Sequence, residues 1–135
     1  MAHLDFNFEA IPTVIPTVEP GVYDGSILEP PTVGESGDKA GTQLNVKIRI
    51  EGGPFNGITL TDGISLTHPK YMNMALQGQS KVKRLALAAG VPISSSGLDT
   101  ELLAGRTIKF RVARREYEKD GAKKTAAYIE DYIIH

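Results

Sequence analysis

The stretch GRTIKFRVARREYEKDGAKKTAAYIEDYII, from Gly105 to Ile134, decides how the chain is read. Ile108, Phe110 and Val112 alternate with Lys109, Arg111 and Ala113, the period-two pattern of a strand with one face in a core. Glu118-Lys119-Asp120-Gly121 is a turn by composition, and the run resumes through Lys123 and Lys124 to Ile134. The spacing predicts a β-hairpin with one basic face. Lys109, Arg111, Arg115 and Tyr117 share a parity, while Lys119, Lys123 and Lys124 ring the tip. Cations with an aromatic among them suit a phosphate backbone with stacked bases.

Outward from this hairpin, the rest of the chain is short strands and one helix. Residues 1–19 form an arm, in which Ile11-Pro-Thr-Val14 repeats as Ile15-Pro-Thr-Val18; its prolines cannot donate to a ladder, so it is expected to be extended. A first strand spans about Gly21 to Glu29, ended by Pro30-Pro31, and a Gly-rich loop follows from Gly34 to Gly41. The clearest alternation is a second strand from Thr42 to Ile50, with Leu44, Val46, Ile48 and Ile50 inward and Lys47 and Arg49 outward. After a turn around Phe55, a third strand runs from about Ile58 to Leu66. Helical spacing over residues 69–89 places Met72, Ala75, Leu76, Val82, Leu85, Ala86 and Ala89 on one face, with Thr67 as a candidate cap, Gly90 as a stop and Gly78 as a weak point. The hairpin supplies strands four and five. The expected class is all-β with one helix: a five-stranded OB-fold barrel over residues 20–135, with the helix between strands three and four.

Charge is unevenly distributed. Residues 1–38 hold seven acidic side chains and no Lys or Arg, whereas residues 106–124 hold eight basic and three acidic ones, although the whole chain is at −1. Such asymmetry points to a polyanion-binding surface. The low overall charge also points to homo-oligomerisation or cooperativity as a source of affinity. There is no cysteine, no apolar run near the ~20 residues that span a bilayer and no N-terminal leader pattern, so the expected compartment is the cytoplasm.

Catalytic and metal constellations are absent from the sequence. His3, His68 and His135 are scattered, Asp62 has no evident carboxylate partner, and Gly34-Glu-Ser-Gly-Asp-Lys39 lacks the spacing of a phosphate-binding loop. No enzyme activity, cofactor or metal is expected. The candidate nucleic-acid-binding set is Lys47, Arg49, Lys109, Arg111, Arg115, Lys123 and Lys124 for phosphates. Phe55, Tyr117, Tyr23 and Tyr128 are candidate stacking platforms, with Tyr23 and Tyr128 equally readable as core.

Several segments together carry a family likeness: Leu4 to Ala10, Pro20 to Asp24, Gly41 to Ile50, Gly53 to Gly57, Leu85 to Gly90 and Leu103 to Val112. In outline these resemble the short OB-fold single-stranded DNA-binding proteins of bacteriophages and related phage replication-cluster proteins of unassigned function. The resemblance implies sequence-tolerant single-strand binding in phage DNA replication, recombination or repair, with replication or recombination proteins as partners and the host cytoplasm as the location. The chain ends Asp131-Tyr-Ile-Ile-His135, without the acidic tail that many bacterial single-strand binders carry. The alternative reading is a non-enzymatic interaction module of a phage assembly, its basic face docking an acidic protein.

Overall fold

The structure, a computed structural model, describes residues 3–5, 7, 9 and 17–134. The expected extended repeat lies largely outside the described residues. Six strands and one helix follow in order: β1 (Gly21–Ile27), β2 (Thr32–Glu35), β3 (Thr42–Ile50), β4 (Thr59–Thr67), α1 (Met72–Ala89), a 3-10 turn (Thr100–Leu103), β5 (Thr107–Lys119) and β6 (Ala122–Ile133).

β3 is the central strand. One edge pairs with β4 from Thr42 to Arg49, and the other is shared, with β2 opposite Thr42–Asn45 and β1 opposite Ile48–Ile50. β1 continues the sheet to β5, and β5 pairs with β6, all antiparallel. Leu44, Val46, Ile48 and Ile50 of β3 are buried, as their alternation predicts. They join Ile27, Leu85, Leu103, Ile108, Phe110, Val112 and Ile129 in one core.

The sheet is open, and this corrects the expected five-stranded OB-fold barrel. There are six strands, the helix follows the fourth, and β4 and β6 share no ladder among the described residues. The physical reason lies in α1, which packs against both strands. Gln79 Nε2 donates to the Leu66 carbonyl of β4, and Lys81 Nζ to the Ile129 carbonyl of β6, each at 2.7 Å. Edge groups that a closing ladder would use are therefore taken by helix side chains. Across the same seam, the Tyr132 hydroxyl donates to Asp62 Oδ2 (2.8 Å), which Lys81 also reaches at 2.9 Å. Burial, and then the Asp62 carboxylate, push the Tyr132 phenol well above its usual range, so it stays a neutral donor. The likeness to phage OB-fold single-strand binders depended on a closed barrel and falls with it, as do the phage setting and partners it implied.

Local expectations fared unevenly. Gly90 ends α1 in the left-handed conformation (φ 71°), with the Val91 amide returning to the Ala86 carbonyl. Gly78 does not interrupt the helix. A Cβ there would collide with the Ser65 carbonyl, so glycine is what lets α1 lie against β4. Thr67 bonds Thr42 across the sheet (2.6 Å) rather than capping α1. His68 performs the entry role: its Nδ1 accepts the amides of Lys70 and Tyr71 at 3.0 Å each, which places the ring proton on Nε2, facing Asp38 Oδ2 at 2.7 Å. That contact pins the turn after β2 to the start of the helix.

Candidate nucleic-acid interface

The β5–β6 hairpin outruns the sheet that supports it. β1 pairs with β5 only as far as Val112, and from Arg114 to Thr125 every residue is exposed. The result is a two-stranded ribbon projecting roughly 17–20 Å at about 3.3 Å per residue. Its turn is two residues, Asp120 and Gly121, both at positive φ (55° and 77°), between the paired Lys119 and Ala122. Asp-Gly suits this turn because its twist matches the flanking strands.

Register sorts the ribbon's side chains. Tyr117 pairs with Lys124, Arg115 with Ala126 and Ala113 with Tyr128, so Arg115, Tyr117, Lys119, Lys124 and Tyr128 share one face. Glu118 pairs with Lys123 and Glu116 with Thr125, so both glutamates lie on the other face with Arg114 and Lys123. The Arg115 guanidinium sits 5.6 Å from the Tyr128 ring centre. Tyr117 is 42% and Tyr128 37% exposed, so both rings are available at the surface. None of Lys109, Arg111, Arg115, Lys119, Lys123 or Lys124 enters an ion pair among the described residues. Arg111 lies opposite Asp131, whose Oδ1 is engaged by Arg84 at 2.6 Å and by the Tyr132 amide. Arg114 turns back to the Thr17 and Val18 carbonyls at 3.2 and 3.3 Å, tying the end of the N-terminal arm to the base of the ribbon.

Lys47 and Arg49 sit on the outer face of β3, which is continuous with that of β5 through β1. Arg49 is opposite Ser26, Ser26 opposite Thr107, and Asp24 opposite Lys109. The two cations do not join the ribbon's basic field. Lys47 pairs with Glu29 and Arg49 with Glu51, each at 3.1 Å, and Asp24 lies between them and Lys109. Hydrogen bonds from Ser26 and then Arg49 hold the Glu51 carboxyl below its usual range, so it remains a counter-charge.

The expected stacking platforms separate into two pairs. Phe55, although in a turn, is buried in the core, with its ring set edge-on to Tyr23 at 6.0 Å and 77°. Tyr23 packs on the same core, its ring 6.3 Å from Phe110, and its hydroxyl donates to the Glu19 carbonyl. Neither ring is presented for stacking; both are structural. Tyr117 and Tyr128 remain. Lys119 was outside the expected set, and strand parity alone adds it.

Among the described residues, no group of three or more His, Cys, Asp or Glu is placed to hold a metal ion, and no helix is long and apolar enough to cross a membrane. No protein-family model matches the chain, and no curated protein matches it in sequence.

Proposed function

We propose that this protein binds single-stranded DNA with little sequence preference and without catalysis, through the outer face of the β5–β6 ribbon. The observation that carries the reading is the sorting of the ribbon: cations and two exposed tyrosines on one face, both glutamates on the other. Arg111, Arg115, Lys119 and Lys124 would neutralise phosphates, while Tyr117 and Tyr128 stack bases, at about 1–3 kcal/mol per stacked base. A sequence-tolerant surface needs only these two elements, because every base has a π-face and every nucleotide a charge. Lys109 lies at the root of this field. Lys47 and Arg49 belong to its periphery, since each already has a carboxylate partner, and Lys123 faces Glu118 instead. The role falls where single strands are transiently exposed, in DNA replication, recombination or repair.

Fluorescence titration with oligo(dT) at two salt concentrations, with duplex DNA as competitor, tests the reading. Single-strand preference is expected, with affinity falling steeply as salt rises. Absence of binding at low salt would sink it and favour a ribbon that docks an acidic protein.

A further inference from the structure

Between α1 and the loop that follows it lies a cavity of about 440 Å³, within the size range of small-ligand sites. Val82 of α1 and Ile93 and Leu98 of the loop line it with apolar surface, and Val82 and Leu98 pack on the core behind. The loop wall is braced. Ser94 and Gly97 exchange amide–carbonyl bonds at 3.2 and 3.1 Å, and Ser94 Oγ accepts the Ser96 amide at 3.2 Å. A wall fixed in advance lowers the ordering cost of filling the cavity.

Two polar side chains, one helical turn apart on α1, flank the apolar lining. Lys83 is the cation. It is exposed and enters no ion pair among the described residues, whereas its neighbours Lys81 and Arg84 are committed to Asp62 and Asp131. Among the described residues no acid lines the cavity; Asp99, next to Leu98, is turned to the Glu101 amide, which it accepts at 3.0 Å. Gln79 is the acceptor. Its Nε2 donates to the Leu66 carbonyl, which fixes the amide and leaves Oε1 free to accept. The cavity thus asks for an apolar body, an anion and an N–H donor within about 5.4 Å, one turn of helix. The last residue of a peptide carries all three on a single Cα. A residue inside a chain has the side chain and the N–H but no carboxylate, and a free apolar acid has no N–H.

We infer that this cavity binds the C-terminal residue of a partner protein, one with a branched aliphatic side chain such as leucine. The side chain fills the space between Val82, Ile93 and Leu98. The terminal carboxylate meets the Lys83 ammonium, and the residue's own amide N–H donates to Gln79 Oε1. The site uses no residue of the ribbon, so the inference stands apart from the single-strand reading above.

Fluorescence anisotropy with the fluorescein-labelled tripeptide Ala-Ala-Leu tests it on the full chain, in three forms: free carboxylate, C-terminal carboxamide, and an analogue with an ester in place of the last amide. The carboxylate form should bind about three- to fivefold more tightly than the carboxamide, the size of an exposed ion pair, and the difference should shrink at high salt. The ester form, which lacks the N–H, should bind about threefold more weakly than the parent peptide. Lys83→Gln should erase the preference for carboxylate and leave carboxamide binding unchanged. Ile93→Ser should weaken both forms alike, by about tenfold. Lys83 is exposed and Ile93 lies outside the buried core, and circular dichroism melts confirm that both variants are folded. No binding of the carboxylate peptide at millimolar concentration, equal affinity for carboxylate and carboxamide, or a preference that survives Lys83→Gln overturns the assignment. Equal affinity for the ester form overturns the Gln79 contact. Failure of the same protein to bind oligo(dT) would overturn the ribbon reading and leave this one intact.

Discussion

Arg49 on β3 and Arg115 on β5 look alike in sequence, each an outward arginine on an alternating strand, but they sit in opposite electrostatic settings. Arg49 has Glu51 at 3.1 Å, two residues along on its own parity, and its neighbour Lys47 has Glu29 at the same distance. Arg115 also has a glutamate next to it in sequence, Glu116, but one residue along a strand means the opposite face. Whether an acidic neighbour cancels a basic residue therefore depends on the parity of the spacing. A count of charges over residues 106–124 mixes the two faces: it subtracts Glu116 and Glu118, which point away from the outer face, and adds Arg114 and Lys123, which point away with them.

The largest effects are expected on the ribbon. Replacing Arg111, Arg115 and Lys124 together by Ala should weaken oligo(dT) binding on the order of a hundredfold at low salt. The slope of log affinity against log salt should fall by about 2, near 0.7 for each phosphate no longer neutralised. An unchanged slope in a titration series would remove the ribbon from the interface. Tyr117→Ala or Tyr128→Ala should each cost about tenfold in affinity with the slope preserved, because stacking releases no counterions. Lys47→Ala or Arg49→Ala should change affinity by less than about twofold, since each removes a cation that an exposed pair already neutralises. The reverse substitutions, Glu29→Gln and Glu51→Gln, should raise affinity slightly and steepen the salt response. Losses from Lys47→Ala as large as those from the ribbon would break the distinction between the two regions.

The smallest expected effect concerns pH and the turn after β2. Asp38 has its folded pKa depressed below the ordinary 3.8, chiefly by the Ser36 hydroxyl and then by His68. A depressed carboxylate contributes stability above its unfolded pKa and loses it as pH falls through the folded one. The stability gap between the parent protein and Asp38→Ala should thus be constant at neutral pH and narrow below about pH 4, as followed by urea melts across an acid series. A gap that widened on acidification would mean that Asp38 is not held ionised by these contacts.

Much of this fold is legible in the chain, where the signal is local. The alternation of Leu44, Val46, Ile48 and Ile50, the Asp120-Gly121 turn and the Gly90 stop each depend on a few adjacent residues, and each is where the sequence puts it. What depends on distant partners was not legible. β2 is four residues long with Val33 facing solvent, so it carries no alternation, and only its pairing with β3 makes it a strand. Phe55 has a turn's neighbours but a core position, because Tyr23 comes in beside it from β1. Gly78 lowers helix propensity and is required by close packing on Ser65, a contact between residues that propensity treats separately. In the candidate interface, the shared parity of Arg115 and Tyr117 is local and readable, whereas the pairing of Lys47 with Glu29 needs the path of the chain from β1 to β3.

The seam between β4 and β6 has a consequence for how the molecule is assembled. The β3–β4 and β5–β6 pairs are hairpins that can form from neighbouring sequence, but no ladder fixes the distance between their outer edges. That distance is set by α1, whose Lys81 touches Asp62 on one side and the Ile129 carbonyl on the other. The helix thus acts as the gauge of the sheet's curvature, and the curve is complete only when the helix has docked.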